Sequence, residues 1–250
     1  MVHPGTLLKA TLSASKEFFR PPAPARNDEL VASVMPAIAP AKPAMVPIRS
    51  IGPNHRERIA LHLLALDRSD RYLRFGYMAN DEQVQRYVDG LNFERDEIFG
   101  IYNRKLELIA MAHLAFSTDA KLSSCAEFGV SVFASARGRG YGSRLFDRAV
   151  MHARNEGVDM MFIHALSENT AMLNIARKGG ATIERDGSES EAYLKLPPAD
   201  LDSRMTELVE EQIAQTDYRL KVQAKQFWSF LGALQDVRCG VRDARDKSAM

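Results

Sequence analysis

Apolar residues recur at helical spacing through "HRERIALHLLALDRSDRYLRF", with Ile59, Leu63 and Leu66 on one face, and a second helical stretch, "NDEQVQRYVDGL", follows. Asn80 stands where it would cap that second stretch, with Asp81 and Glu82 in its favourable first turn. The period then changes. "EIFGIYNRKLELIAMAHLAF" predicts two strands around the turn "NRK", and "CAEFGVSVF" (125–133) predicts a third. "YGSRLFDRAVMHARNEG" returns to helical spacing, with Leu145, Phe146, Ala149, Val150 and Ala153 on one face and Gly157 as its stop. "VDMMFIHAL" is almost continuously apolar, as suits a strand covered on both faces. A helix in "NTAMLNIARKGG" and strands in "ATIERD" and "EAYLKL" complete the alternation. With a short opening strand at "MVPIRSI" (45–51), these elements predict one mixed α/β domain over residues 45–197.

The flanks have a different character. Nine of the 11 prolines precede residue 54, so residues 1–44 read as a Pro/Ala-rich extension, partly disordered or draped over the domain. After Pro197-Pro198, residues 198–250 read as a helical extension, in one long helix or two. Leu201, Met205, Leu208, Val209 and Ile213 form an apolar stripe, continued by Leu220, Phe227, Phe230, Leu231 and Leu234. Such a stripe packs on its own domain or on a second subunit, which makes it a candidate homodimer seam.

Composition narrows the function classes. An apolar fraction of 46% and a charged fraction of 26% are those of a soluble globular chain. A net charge of +1 gives no bulk attraction to nucleic acid or to a membrane surface. No apolar run approaches the ~18 residues of a membrane span, and the first residues lack a secretory pattern. Cys125 and Cys239 have neither metal-type nor disulfide spacing, so no metal is implied and a reducing, cytoplasmic location is expected.

The candidate chemistry begins in "ASARGRGYGSRLF", where three glycines alternate just before a helix. No lysine follows them as a Walker loop requires. The dinucleotide pattern G-x-G-x-x-G fails at Ser143 from one start and at Leu145 from the other. The pattern R/Q-x-x-G-x-G/A fits at Arg137, Gly140 and Gly142. In it, backbone N–H groups of Gly138, Arg139, Gly140, Tyr141, Gly142 and Ser143 face a diphosphate at a helix N-terminus, with Arg137 and Arg139 adding charge. The plainer alternative is a turn whose glycines only allow close strand–helix packing.

This loop resembles that of the GNAT acetyltransferase superfamily, and the resemblance covers about residues 46–196. "SENTAMLNIARKGGATI" is similar to the family's second signature, with Asn169 opening a helix and Gly180 closing it. "IRSIGPNHRERIALHLLALDRSDRYLRF" and "AEFGVSV" resemble the subgroup of bacterial protein-lysine acetyltransferases. The resemblance implies a GNAT fold: a mixed, mostly antiparallel central sheet with helices on both faces. It implies acetyl-CoA as co-substrate, with Asn169 on the pantetheine arm and Val130 and Val132 on the cofactor. A backbone N–H near Val132 would polarise the thioester.

Glu127 is the candidate general base, by the subgroup's pattern and because a carboxylate in an apolar strand invites desolvation and a raised pKa. Strand alternation puts Glu127, Gly129 and Ser131 on one face, and Ala126, Phe128, Val130 and Val132 on the other. Two departures stand out: Ala176 where many members carry a tyrosine acid, and Ala181 where phenylalanine is common. Tyr141 and His113 are the candidates to replace the acid. "LDRSDRYLRFGYM" lies near the acceptor groove on this resemblance, with Arg71, Tyr72 and Arg74 open to a groove role or to packing. No excess of acidic residues and no aromatic cage is readable in the groove segments. The expected activity is acetyl transfer to the amine of a protein lysine or a small molecule. A catalytically silent acyl-CoA sensor is the alternative from another class.

Overall fold

A computed structural model describes residues 46–119 and 122–248, with side chains described as far as Phe230. The expectations for residues 1–44 and for Cys239 lie outside what is described. Seven strands form one sheet: β1 (Arg49–Ser50), β2 (Glu97–Tyr102), β3 (Leu108–Phe116), β4 (Cys125–Val132), β5 (Met160–Leu166), β6 (Thr182–Asp186) and β7 (Glu189–Lys195). Their order is β1-β2-β3-β4-β5-β7-β6, and every neighbouring pair is antiparallel except β4 with β5.

Helices cover both faces. On one lie α1 (Arg56–Leu64), α2 (Arg68–Phe75) and α3 (Asp81–Asp89); on the other, α4 (Tyr141–Asn155) and α5 (Thr170–Lys178). Ile59, Leu63 and Leu66 are buried as their spacing predicts, and Leu145, Phe146, Ala149 and Ala153 fill the opposite core with Phe128 and Met161. Asn80 caps α3 in a full capping box with Gln83.

Two boundaries differ from the sequence reading. The helical stretch 55–75 is two helices, because Asp67 caps a new one by accepting from the Asp70 N–H at 2.7 Å. The opening strand shrinks to Arg49–Ser50, since Pro47 has no N–H to give a ladder.

The C-terminal extension is one helix, α6 (Leu201–Ser248). It docks by its polar face. Glu207 and Glu211 meet buried Arg148 at 3.2 and 3.3 Å, Glu207 meets His152 at 2.6 Å, and Ser203 donates to Asn155 at 2.6 Å. Burial alone would depress His152, but the Glu207 carboxylate raises its pKa above the ordinary histidine value. The apolar stripe that the sequence offered for packing faces outward, with Leu208 61% and Phe227 57% exposed. No helix among the described residues is long and apolar enough to cross a membrane.

Candidate active site

The site is made by a strand pair that parts company. β4 and β5 pair only from Cys125↔Met160 to Glu127↔Phe162, and beyond Glu127 the two strands no longer pair with each other. The gap opens into a cavity of about 1030 Å³. Glu127, Val130 and Val132 line it from β4, and Asn169 and Ile175 from the α5 end.

The glycine loop closes one side. Gly138 and Gly140 both have φ +75°, a backbone region that side-chain-bearing residues avoid. Gly142 serves packing instead: a Cβ there would lie 2.9 Å from Ile175 Cδ1. The packing reading thus holds at Gly142, while Gly138 and Gly140 serve the left-handed backbone of the loop. α4 then begins at Tyr141 with no side-chain cap and no acidic residue in its first turn. Its first N–H groups lack a side-chain partner at the end that borders the cavity, an arrangement suited to an anion.

Arg137, Gly138, Gly140, Tyr141, Gly142 and Ser143 all border the cavity. Arg139 does not; standing between two left-handed glycines, it is exposed to solvent. Arg137 forms an ion pair with Asp70 at the start of α2, so a ligand anion would share it. The Asn169 side chain is engaged within the protein. Its oxygen accepts from Met172 N at 3.1 Å, capping α5, and its Nδ2 donates to Leu73 O at 3.4 Å.

Glu127 is exposed on the cavity floor, so the desolvation expected from its apolar strand is not supplied by the protein itself. Alternation explains this, because the buried neighbours Ala126 and Phe128 occupy the other face. Ala176 is fully buried in the core and does not border the cavity, and His113 does not reach it either; Tyr141 does. Ser131 lines the wall two residues past Gly129, and its hydroxyl lies 2.8 Å from His62 Nε2. His62 Nδ1 lies 2.8 Å from the Leu108 carbonyl, so Nδ1–H donates there and Nε2 accepts from Ser131. Burial, aided by the Arg74 charge, lowers the His62 pKa to about 4.

Two groups of cavity residues escaped the sequence reading, and one residue that it left open borders the cavity. Of the arginines left open, Arg71 is structural: it donates to Leu66 O at 3.2 Å and meets Asp81 at 2.5 Å, whereas Arg74 lines the cavity. His164 lines it from β5. At the far end stand Glu184, Asp186, Glu189 and Glu191, correcting the expectation of no acidic excess. Register puts Glu184 opposite Glu191 and Asp186 opposite Glu189, like charges whose direct pairing costs stability.

A parting parallel pair, a left-handed glycine loop and an uncapped helix together define an acyltransferase cradle. Residues 62–180, just under half of the chain, match the family model described as Acetyltransferase (GNAT) family, which identifies this stretch as a GNAT acetyltransferase domain. The structure is similar to the GNAT domain of PAT from S. lividans, with 19% identity and a TM-score of 0.52, over 60% of this chain and 89% of that one. It is similar also to an acetyltransferase of the GNAT family from Streptococcus pneumoniae, with 12% identity and a TM-score of 0.50, over 61% of this chain and 100% of that one. These likenesses concern the fold. No curated protein sequence matches the chain.

Proposed function

We propose that the protein transfers the acetyl group of acetyl-CoA to an amine, with Glu127 as general base. One observation carries the reading: an exposed carboxylate and an uncapped helix N-terminus border the same cavity, on the strand and helix joined by the glycine loop. The loop N–H groups and Arg137 suit the diphosphate, and the unpaired edge of β4 at Val130 and Val132 suits the pantetheine arm. Acetyl-CoA supplies a thioester carbonyl. Glu127 takes the ammonium proton, the freed amine forms the C–N bond as the C–S bond breaks, and the thiolate leaves, taking up the second proton that the acylated nitrogen sheds. A thiol of pKa about 8.5 is a tolerable leaving group, so the missing tyrosine at position 176 does not forbid the reaction.

The exposed glutamate gains its desolvation when cofactor and acceptor cover it. Isothermal titration is expected to show acetyl-CoA binding, weakened at least about tenfold by Gly140→Val, because a β-branched residue resists the left-handed backbone. An unchanged far-UV spectrum would confirm that the variant is folded. A flat titration of the unaltered protein overturns the reading.

We further propose that α6 pairs with a second copy of the chain. Its polar face is spent on the domain, and the domain contacts among the described residues end at Lys221, which donates to Tyr102 O at 3.0 Å. On the outward face Ile213, Leu220 and Phe227 recur every seven residues, with Phe230 three beyond, the a/d spacing of a helical seam. Sedimentation equilibrium at tens of micromolar is expected to give a dimer, and Phe227→Glu a monomer with unchanged acetyl transfer. A monomeric unaltered protein refutes the pairing.

A further inference from the structure

Arg74 stands in the last turn of α2 with its guanidinium against the β4 backbone at Gly129. A Cβ at Gly129 would lie 2.9 Å from Cζ, Nη1 and Nη2 of Arg74. The bare glycine is therefore what admits this cation to the cavity wall. A chain of hydrogen bonds then fixes its direction. Arg74 Nη2 donates to Tyr87 Oη at 2.8 Å, and Tyr87 Oη lies 2.7 Å from His113 Nδ1. The ionised Asp96 carboxylate only accepts, so the proton of the neutral His113 imidazole is on Nε2, 3.3 Å from Asp96 Oδ2, and Nδ1 accepts from the Tyr87 hydroxyl. Asp96 is 5% exposed and is held by both Arg95 Nε and Nη2, at 2.6 and 2.7 Å. Three side chains, Tyr87 on α3, His113 on β3 and Asp96 before β2, thus form one chain that holds the guanidinium in place.

The held cation is not neutralised. Arg71 has Asp81 and Arg137 has Asp70, but Arg74 has no carboxylate within 4 Å among the described residues. Its Nε is buried without a partner, and its Nη1 has none among the described residues. Such groups are costly to leave unpaired, and Arg74 borders the cavity that holds Glu127. The carboxylates of β7 and β6 are two and three strands away from β4, on the order of 10–15 Å. They leave this corner to a ligand anion.

Spacing selects the ligand. Glu127 and Gly129 are next-but-one on the same face of β4, about 7 Å apart. Because both side chains rise from the strand rather than lie along it, an ammonium hydrogen-bonded to Glu127 and a carboxylate hydrogen-bonded to Arg74 can belong to one α-amino acid, whose amine and carboxyl carbon are two bonds apart. A lysine side chain within a protein carries no carboxylate at that distance from its amine. We propose that the acceptor is a free α-amino acid or a zwitterion of the same span, its carboxylate held by Arg74 and its amine delivered to Glu127. This rests on the acetyltransferase reading and narrows it.

The test is acetyl transfer, followed as thiol release, to pairs of amines that differ only in the carboxylate: histidine with histamine, tyrosine with tyramine, phenylalanine with phenethylamine. A lysine peptide with blocked termini completes the panel. At least one amino acid is expected to exceed its decarboxylated partner by about 100-fold in kcat/KM. Arg74→Gln is expected to erase that preference, chiefly by raising KM for the amino acid. Gly129→Ala, which keeps the charge but displaces it, is expected to erase part of it at an unchanged thermal midpoint. Turnover of decarboxylated amines or the peptide as fast as amino acids overturns the inference. So does an equal loss for both members of a pair in Arg74→Gln, or no transfer to any amino acid while acetyl-CoA binds. Failure of acetyl-CoA to bind at all strikes the parent reading instead.

Discussion

Glu127→Gln is expected to lower kcat/KM for acetyl transfer by about 10²–10⁴-fold while leaving acetyl-CoA affinity within about twofold. Glutamine keeps the shape and one acceptor oxygen but cannot take a proton at neutral pH. The protein has little stake in the native carboxylate: Glu127 is exposed, and no salt bridge within 4 Å holds it among the described residues. The substitution should therefore leave the unfolding midpoint unchanged, which separates lost chemistry from lost structure. Because the amine must be neutral to attack, the variant should recover part of its rate as pH rises and the free amine becomes abundant. The unaltered enzyme should gain less over the same range. Rates and pH profiles that coincide for the two proteins would remove Glu127 as the base and leave Tyr141 or His164, which border the same cavity, to be tried next.

What the sequence disclosed was local in the chain. The Asn80 capping box spans four residues, the alternation that sets Glu127 opposite Ala126 and Phe128 needs three, and the loop glycines announce their own backbone. The family resemblance added order along the chain. Contacts between distant segments were not legible. Arg71 and Arg74 sit three residues apart in one helix and look alike in sequence. Only packing decides that one ties to Leu66 and Asp81 while the other crosses to Gly129 and Tyr87. The same holds for Glu184 and Glu191, whose opposition depends on a hairpin register that turns one of them to the other face if its strand shifts by one residue. Ala176 shows the converse error. Counting seven residues from Asn169 marked it as a gap in the catalytic set, but on this helix position 176 faces the core and Ile175 faces the cavity. Which face of α6 docks on the domain was not legible for a related reason. Apolar spacing says which residues share a face, yet a helix can dock by its polar face when buried Arg148 and His152 wait for its carboxylates.

Acidification from pH 6.5 to 4 is expected to destabilise the fold by about 3 kcal/mol through His62 alone. Its pKa is held to about 4 by burial first and by the Arg74 charge next, against 6.5 for an ordinary histidine. Between those values the unfolded chain binds a proton that the native imidazole refuses. The stability term is therefore complete above pH 6.5 and is lost as pH falls through 4. Protonation of Nε2 would also strip it of the lone pair that accepts from Ser131, in the wall of the cavity. Buried His113, likewise depressed, adds to the same trend. His152 opposes it, since its raised pKa contributes stability below the ordinary histidine value that is lost as pH rises through its native one. His62→Gln separates the contributions, because an amide can donate to Leu108 and accept from Ser131 without titrating. Urea unfolding of both proteins at steps from pH 7.5 to 4 should show the unaltered protein's advantage over the variant shrinking by about 3 kcal/mol toward the acid end. Parallel stability curves would mean that His62 stays neutral in both states, and that the acid sensitivity of the fold originates at other sites.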